Sequence, residues 1–337
     1  MKMRRFVIII AAALLLAGCK GKPKTNDPNT NPTPKQSIAV PTFSADSAYQ
    51  FVAAQTQFGP RVPETEAHAV CAEWITGKLR EYADTVIVQD FRTRLYDGRG
   101  IDGQNLIGVF NPEAKKRIVL CAHWDSRPYA DHDADAANTH TPIDGANDGA
   151  SGVGVLIECA RQFSASPLRE GLGIDIVFFD LEDYGPHQDE AEQYYDDRVN
   201  FWALGSQHWA KHPHVYGYKA YYGILLDMVG GRQPNFQKEY YSQGFAAWVS
   251  NKVWRKAYDL GYRPEFNNEA GAPISDDHLP MNQIAGIPTI DIIDLQPSSS
   301  NGCFPEVWHT LNDNLEHIDK TTLGMVGDVL LHVVYEE

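Results

Sequence analysis

Cysteine, positive charge and long apolar runs are all scarce in this chain, and each shortage excludes something. There are five cysteines in 337 residues, with no Cys-x-x-Cys or Cys-x-x-His spacing. That rules out a structural zinc site of the finger or ribbon kind, which needs closely paired soft ligands. Only 29 Lys and Arg stand against 44 Asp and Glu, a formal net charge of −15. A chain this acidic repels phosphate backbones and anionic surfaces, so nucleic acid is excluded as a partner. The surplus suits weak attraction of a cationic substrate or a merely solvated surface. The apolar run Phe6 to Leu16 falls short of the roughly 20 residues a spanning helix needs. No internal repeat is visible, which argues against a solenoid or propeller.

What is present is enough for one large α/β domain or two small ones: 43% of residues are hydrophobic and 11% aromatic. Lys2, Arg4 and Arg5 precede the short apolar run, the layout of an export signal over residues 1–18. Leu16-Ala17-Gly18-Cys19 resembles the bacterial lipobox. The resemblance implies cleavage before Cys19, acylation of that residue, and an exported lipoprotein held on a bilayer and facing the periplasm or cell surface. Residues 19–42 then read as a lipidated cysteine followed by a flexible tether rich in Lys, Pro, Asn and Thr. The folded unit is expected over 43–337, as a monomer. Cys71, Cys121, Cys159 and Cys303 allow three complete disulfide pairings, and sequence selects none.

Apolar, β-branched runs predict strands at Val86–Phe91, Asn105–Phe110, Arg117–Trp124, Ile174–Leu181, Tyr221–Met228 and Pro288–Leu295. The middle runs are nearly continuous, as strands buried on both faces require. Helical spacing appears at Ala45–Gln57, Glu66–Tyr82, the Val153–Phe163 stretch, Gly205–Lys211, Gln243–Leu260 and Leu315–Tyr335. This alternation predicts one three-layer α/β/α sandwich around a mixed, mostly parallel sheet of six strands.

Acids and histidines fall in phase with the strand ends. His123 and Asp125 close one run, Glu182 and Asp183 the next, Asp227 a third, and His309 follows the last by a loop. In open α/β sheets the ligand crevice lies outside those carboxyl ends. Adjacent buried carboxylates repel each other and lose water, a cost tolerated where a cation sits. Asp148, Asp183 and His309 would supply three zinc ligands and leave one position open. Glu182, beside them and unligated, would carry a proton. Asp131, His132, Asp133 and Asp135 lack EF-hand spacing, so a solvated loop is expected there.

His123-Trp-Asp125, Asp148-Gly, Glu182-Asp183, Asp227 and His309 resemble the pattern of the M28 zinc aminopeptidases over most of residues 45–337. Ser275-Asp276-Asp277-His278-Leu-Pro280, Gly286-Ile-Pro288 and above all Phe304-Pro-Glu-Val-Trp308-His309-Thr310 look more like the glutaminyl cyclases of that superfamily. An aminopeptidase usually has no Trp before the ligand His. The cyclase resemblance implies one zinc, on Asp148, Asp183 and His309, with Glu182 as proton shuttle. It implies that Asp227 and Asp276 form a carboxylate network with Glu182, and that Trp308 walls the substrate pocket. Phe304 and His278 are candidate pocket residues beside it, and His278 could equally support the carboxylate network or merely pack. His123 becomes a hydrogen-bond partner behind the site, oriented by Asp125. The substrate would be a peptide with N-terminal glutamine, closed to pyroglutamate with loss of ammonia. The family usually has Glu-Glu where this chain has Glu182-Asp183; Asp183 takes the ligand role by its position in the motif.

The aminopeptidase alternative uses the same residues with two zincs, Asp148 bridging and His123 and Asp227 holding the second. A lipid-anchored binding protein that keeps the fold without catalysis is a third possibility. Asp276 and Asp277 compete for one role, with Asp276 at the family position. Asp291, inside an apolar strand, faces the site or pairs structurally. A second aromatic wall is expected between Tyr184 and Trp202, with Tyr194 and Trp202 as unassigned candidates.

Overall fold

The structure is a computed structural model that describes residues 39–196 and 199–337. The expected signal segment, Cys19 and nearly all of the tether lie outside the described residues. Six strands form the main sheet: β1 (Thr85–Arg94), β2 (Gly100–Phe110), β3 (Lys116–His123), β4 (Leu172–Phe179), β5 (Tyr222–Asp227) and, last in the chain, β8 (Thr289–Ile293). Their order is β1-β2-β4-β3-β5-β8. β1/β2 and β2/β4 pair antiparallel, while β4/β3, β3/β5 and β5/β8 pair parallel. Two short strands, β6 (Phe236–Lys238) and β7 (Phe266–Ala270), pair separately. The helices are α1 (Ala45–Thr56), α2 (Glu66–Tyr82), α3 (Ala150–Ala165), α4 (Leu204–Lys211), α5 (Tyr240–Asp259), α6 (His278–Gln283) and α7 (Lys320–Tyr335).

The three layers follow from period-two alternation along the strands. Ile118, Leu120 and Ala122 of β3 join a core with α1, α2, α3, α5 and α7. Val119 and Cys121 point the other way, toward Trp209 of α4 and Met281 of α6. Every residue of β4, β5 and β8 is buried, so those sequences are apolar without alternation.

All six expected sheet strands are present. The short β6, β7 and α6 were not foreseen, because three to six residues carry too little periodicity. The last helix starts later than Leu315: residues Leu315–His317 form a 3₁₀ turn, and the Asp319 side chain then caps α7 by accepting the Thr321 N–H at 2.8 Å. Cys71, Cys121, Cys159 and Cys303 are all free thiols.

Candidate active site

Turns at the carboxyl ends of neighbouring strands bring the acids together, as the chain-order pattern predicts. Three non-glycine residues at these turns hold left-handed backbone: Leu181 (φ 57°), Met228 (φ 48°) and His309 itself (φ 54°). Each costs on the order of 1–3 kcal/mol and persists only where its surroundings over-determine it. Asp148 does not cap α3, since the capping position belongs to Gly149, at φ 89°. A Cβ on Gly149 would stand 2.8 Å from the Asp125 carbonyl and 2.9 Å from His123 Cε1, so only glycine lets this turn press Asp148 against His123. The Asp313 carboxylate holds the turn from below, accepting the N–H groups of Asn147 (2.7 Å) and Asp148 (3.0 Å).

Donor atoms of Asp148, Asp183 and His309 all lie within 4.8 Å of one another, and the three side chains are buried. His309 Nε2 is 3.2 Å from Asp183 Oδ1 and 3.6 Å from Asp148 Oδ2. A second trio, His123, Asp148 and Asp227, shares Asp148 and converges equally well. There His123 Nε2 stands 2.9 Å from Asp148 Oδ1 and 3.3 Å from Asp227 Oδ1. Asp148, Glu182, Asp183, Asp227 and Asp276 line one cavity of about 340 Å3. Asp183 Oδ2 is buried with no hydrogen-bond partner among the described residues. Five carboxylates so placed are untenable without a cation or shared protons, and a buried nitrogen-and-oxygen donor set fits zinc.

The electrostatics separate these groups. Burial, then the Asp276 charge, pushes Glu182 well above the usual carboxylate range. Burial raises Asp227 to about 7 against the opposing contact with His123. Burial also raises Asp183 and Asp276, with His309 and His278 opposing. Burial, the largest single influence, disfavours an ionised Asp148 too, yet the His123 contact and the His309 and Arg127 charges together outweigh it and hold that carboxyl below its ordinary value. The most acidic of these carboxyls, Asp148, is thus the one shared by the Asp148–Asp183–His309 and His123–Asp148–Asp227 trios, while burial raises the proton affinity of Glu182.

The cavity walls are aromatic. The Trp308 indole stacks on the His309 imidazole at 3.7 Å and meets the Phe304 ring at 4.4 Å. Trp202 lines the same cavity and is the wall that the sequence left unassigned. Tyr194 instead packs edge-on against Tyr96.

Several expectations need revision. His278 does not line the cavity; it is fully buried beneath it, with Nε2 3.2 Å from Glu239 Oε2 and Nδ1 3.9 Å from Asp291 Oδ2. Asp125 lies 3.6 Å from His123 Nδ1, and its two oxygens instead accept the N–H groups of Glu182 and Asp183, each at 3.1 Å. Asp277, like Asp291, is wholly buried and absent from the cavity wall, whereas Asp276 lines it. Asp131 is not in a solvated loop. It is 1% exposed, and its Oδ1 lies 3.3 Å from His309 Nδ1. Nothing in local spacing could pair Asp131 with a histidine 178 positions away. Asp133 does spend its oxygens on backbone, accepting the N–H groups of Asp135 (3.0 Å) and Leu311 (3.1 Å).

The sandwich and its carboxylate-lined crevice define a metal-dependent α/β enzyme class. The chain belongs to peptidase family M28, a zinc-dependent family whose profile matches residues 105–334. Within that family it is similar to several glutaminyl cyclases, and to aminopeptidases as well. It is 50% identical to a Bacteroides thetaiotaomicron glutaminyl cyclase crystallised with N-acetylhistamine, at a TM-score of 0.84, over 89% of this chain and 100% of that one. A leucine aminopeptidase precursor from the same organism is 49% identical, at a TM-score of 0.83, over 89% and 99% of the two chains. The glutaminyl-peptide cyclotransferase of Gloydius blomhoffii is 29% identical over 258 residues, 69% of this chain. The chain spans about 65% of the length of that curated relative.

Proposed function

We propose that this chain is a glutaminyl cyclase that binds one zinc ion and converts N-terminal glutamine of peptides to pyroglutamate, releasing ammonia. The observation that carries this function is the cavity itself: Trp308 stacked on His309, with Phe304 behind and Trp202 also in the wall, over Glu182, Asp227 and Asp276. A cavity of this size suits a short amide side chain, and its aromatic wall excludes the water that would yield glutamate instead. Asp148, Asp183 and His309 would hold the ion. Zinc there supplies Lewis acidity toward the γ-carboxamide oxygen.

The protein groups do the rest. Glu182 removes a proton from the substrate α-amine, whose nitrogen forms a bond to the γ-carboxamide carbon. The bond from that carbon to the amide nitrogen then breaks, and Glu182 returns the proton to the departing ammonia. A carboxyl with a raised pKa suits both halves of this transfer. Asp227 and Asp276 flank Glu182 and stabilise the transferred proton. His123 orients Asp148 and Asp227, and Asp125 holds the Glu182–Asp183 backbone.

A two-zinc aminopeptidase is the second possibility, favoured by the His123–Asp148–Asp227 trio, which is also ion-sized. Incubation of the purified protein with a Gln-initiated peptide separates the two. Ammonia released with peptide bonds intact, and one zinc per chain, supports the cyclase; free glutamine and two zincs support the peptidase. We further infer from Leu16–Cys19 that the domain is exported and tethered to a bilayer through acylated Cys19, and we propose separately that it is a monomer. Mass spectrometry of the mature N-terminus tests the acylation, and sedimentation tests the monomer.

A further inference from the structure

The most heavily engaged buried charge that this mechanism leaves unused is Arg127, which is 1% exposed. Its Nε and Nη2 bind the two Asp131 oxygens at 3.0 and 2.5 Å. Nη1 donates to the carbonyls of Asp183 (3.0 Å) and Gly185 (3.4 Å), and Nη2 to that of Pro186 (2.9 Å). The guanidinium carbon stands 4.8 Å from the centre of the Trp202 ring. Trp202 lies so close to Gly185 that a Cβ there would be 2.3 Å from the indole. The indole is therefore packed against both Arg127 and a residue that Arg127 holds.

We propose that Arg127 is a positioning residue that ties the metal-ligand loops and the Trp202 wall into one unit, so that ion geometry and substrate fit rise and fall together. Through Asp131 it orients His309, whose Nδ1 lies 3.3 Å from Asp131 Oδ1. Through the three carbonyls it fixes the turn that carries Asp183. Through its flat face it sets the Trp202 ring. Asp131 reinforces the same turn by accepting the Gln188 N–H at 3.0 Å. A planar fork is required, because a lysine ammonium has one centre and cannot meet two carboxylate oxygens, three carbonyls and a ring at once.

The substrate half of this inference rests on the proposed cyclase activity; the metal half does not. Arg127→Lys and Asp131→Asn in the full chain are the test. Zinc affinity, measured by chelator competition, should fall about 10- to 100-fold in each, and the double variant should lose little more than the worse single one. With zinc saturating, Arg127→Lys should raise KM for a Gln-initiated peptide and shift tryptophan fluorescence. Placed on Trp202→Ala, it should add little further to KM. A change that only loosened the fold would lower melting temperature and leave zinc affinity and KM of the folded protein untouched. Wild-type zinc affinity in both single variants, or fully additive KM effects, would overturn the proposal. If Arg127→Lys does not fold, wild-type zinc affinity in Asp131→Asn overturns it alone. A wild-type protein that binds zinc but releases no ammonia refutes the cyclase activity and leaves the zinc measurement decisive for Arg127.

Discussion

Asp125→Asn is a sharp perturbation because it changes no shape. The Asp125 carboxylate is wholly buried and accepts two backbone N–H groups, from Glu182 and Asp183, at 3.1 Å each. An amide keeps one acceptor oxygen and turns its NH2 toward the other N–H. One charge-assisted bond is lost, about 1.5–3 kcal/mol, and a buried N–H is stranded, about 1–3 kcal/mol more. The expected destabilisation is about 4 kcal/mol. That leaves a protein of ordinary stability folded but lowers Tm by about 5 °C for a domain of this size. Activity should suffer more than stability. Those two N–H groups belong to Glu182 and Asp183, the proposed proton shuttle and a proposed metal ligand, and misplacement by about 1 Å can cost on the order of 100-fold in rate. Calorimetry at saturating zinc reads the first effect, and ammonia release from a Gln-initiated peptide reads the second. A variant melting within about 1 °C of wild type, with kcat within about twofold, would refute the claim that Asp125 holds this turn.

Three further outcomes are expected. Glu182→Gln should keep zinc and the fold while kcat falls about 10²- to 10⁴-fold, since the shuttle is gone; near-normal turnover would remove Glu182 as the base. His309→Ala should lower zinc affinity and Tm together, and full zinc occupancy at limiting metal would strike His309 from the ligand set. Burial raises Asp294 to about 6 against hydrogen bonds from Asn235 and Gln296. The folded chain therefore holds that proton more tightly than the unfolded one. Its contribution, about 3 kcal/mol, is fully present below about pH 4 and is lost as pH rises through about 6. Asp294→Asn should flatten that part of the stability profile, and parallel wild-type and variant profiles would contradict it.

The sheet was legible for a simple reason. Strands β3, β4, β5 and β8 are buried on both faces, and such strands must be written as apolar runs. The acids at their ends were legible because chain order and strand polarity together put those ends on one edge. The metal-site candidates followed from residue type and phase, and the donor atoms of Asp148, Asp183 and His309 do converge. The cavity wall was legible only in part. Phe304 and Trp308 sit in a short, distinctive string, whereas Trp202 closes a long acidic stretch without periodicity.

The sequence alone therefore determined the layers, the strand ends and the set of acids and histidines available, because hydrophobic burial and side-chain chemistry are written locally. Tertiary structure decided which partner each acid takes. Asp131 meets His309, Asp125 turns to the Glu182–Asp183 backbone, His278 sinks below the pocket, and Arg127 joins the ligand loops to Trp202. A buried ion pair or hydrogen bond depends on a few ångströms of separation in space, and residues dozens of positions apart or more carry no local signal of that distance.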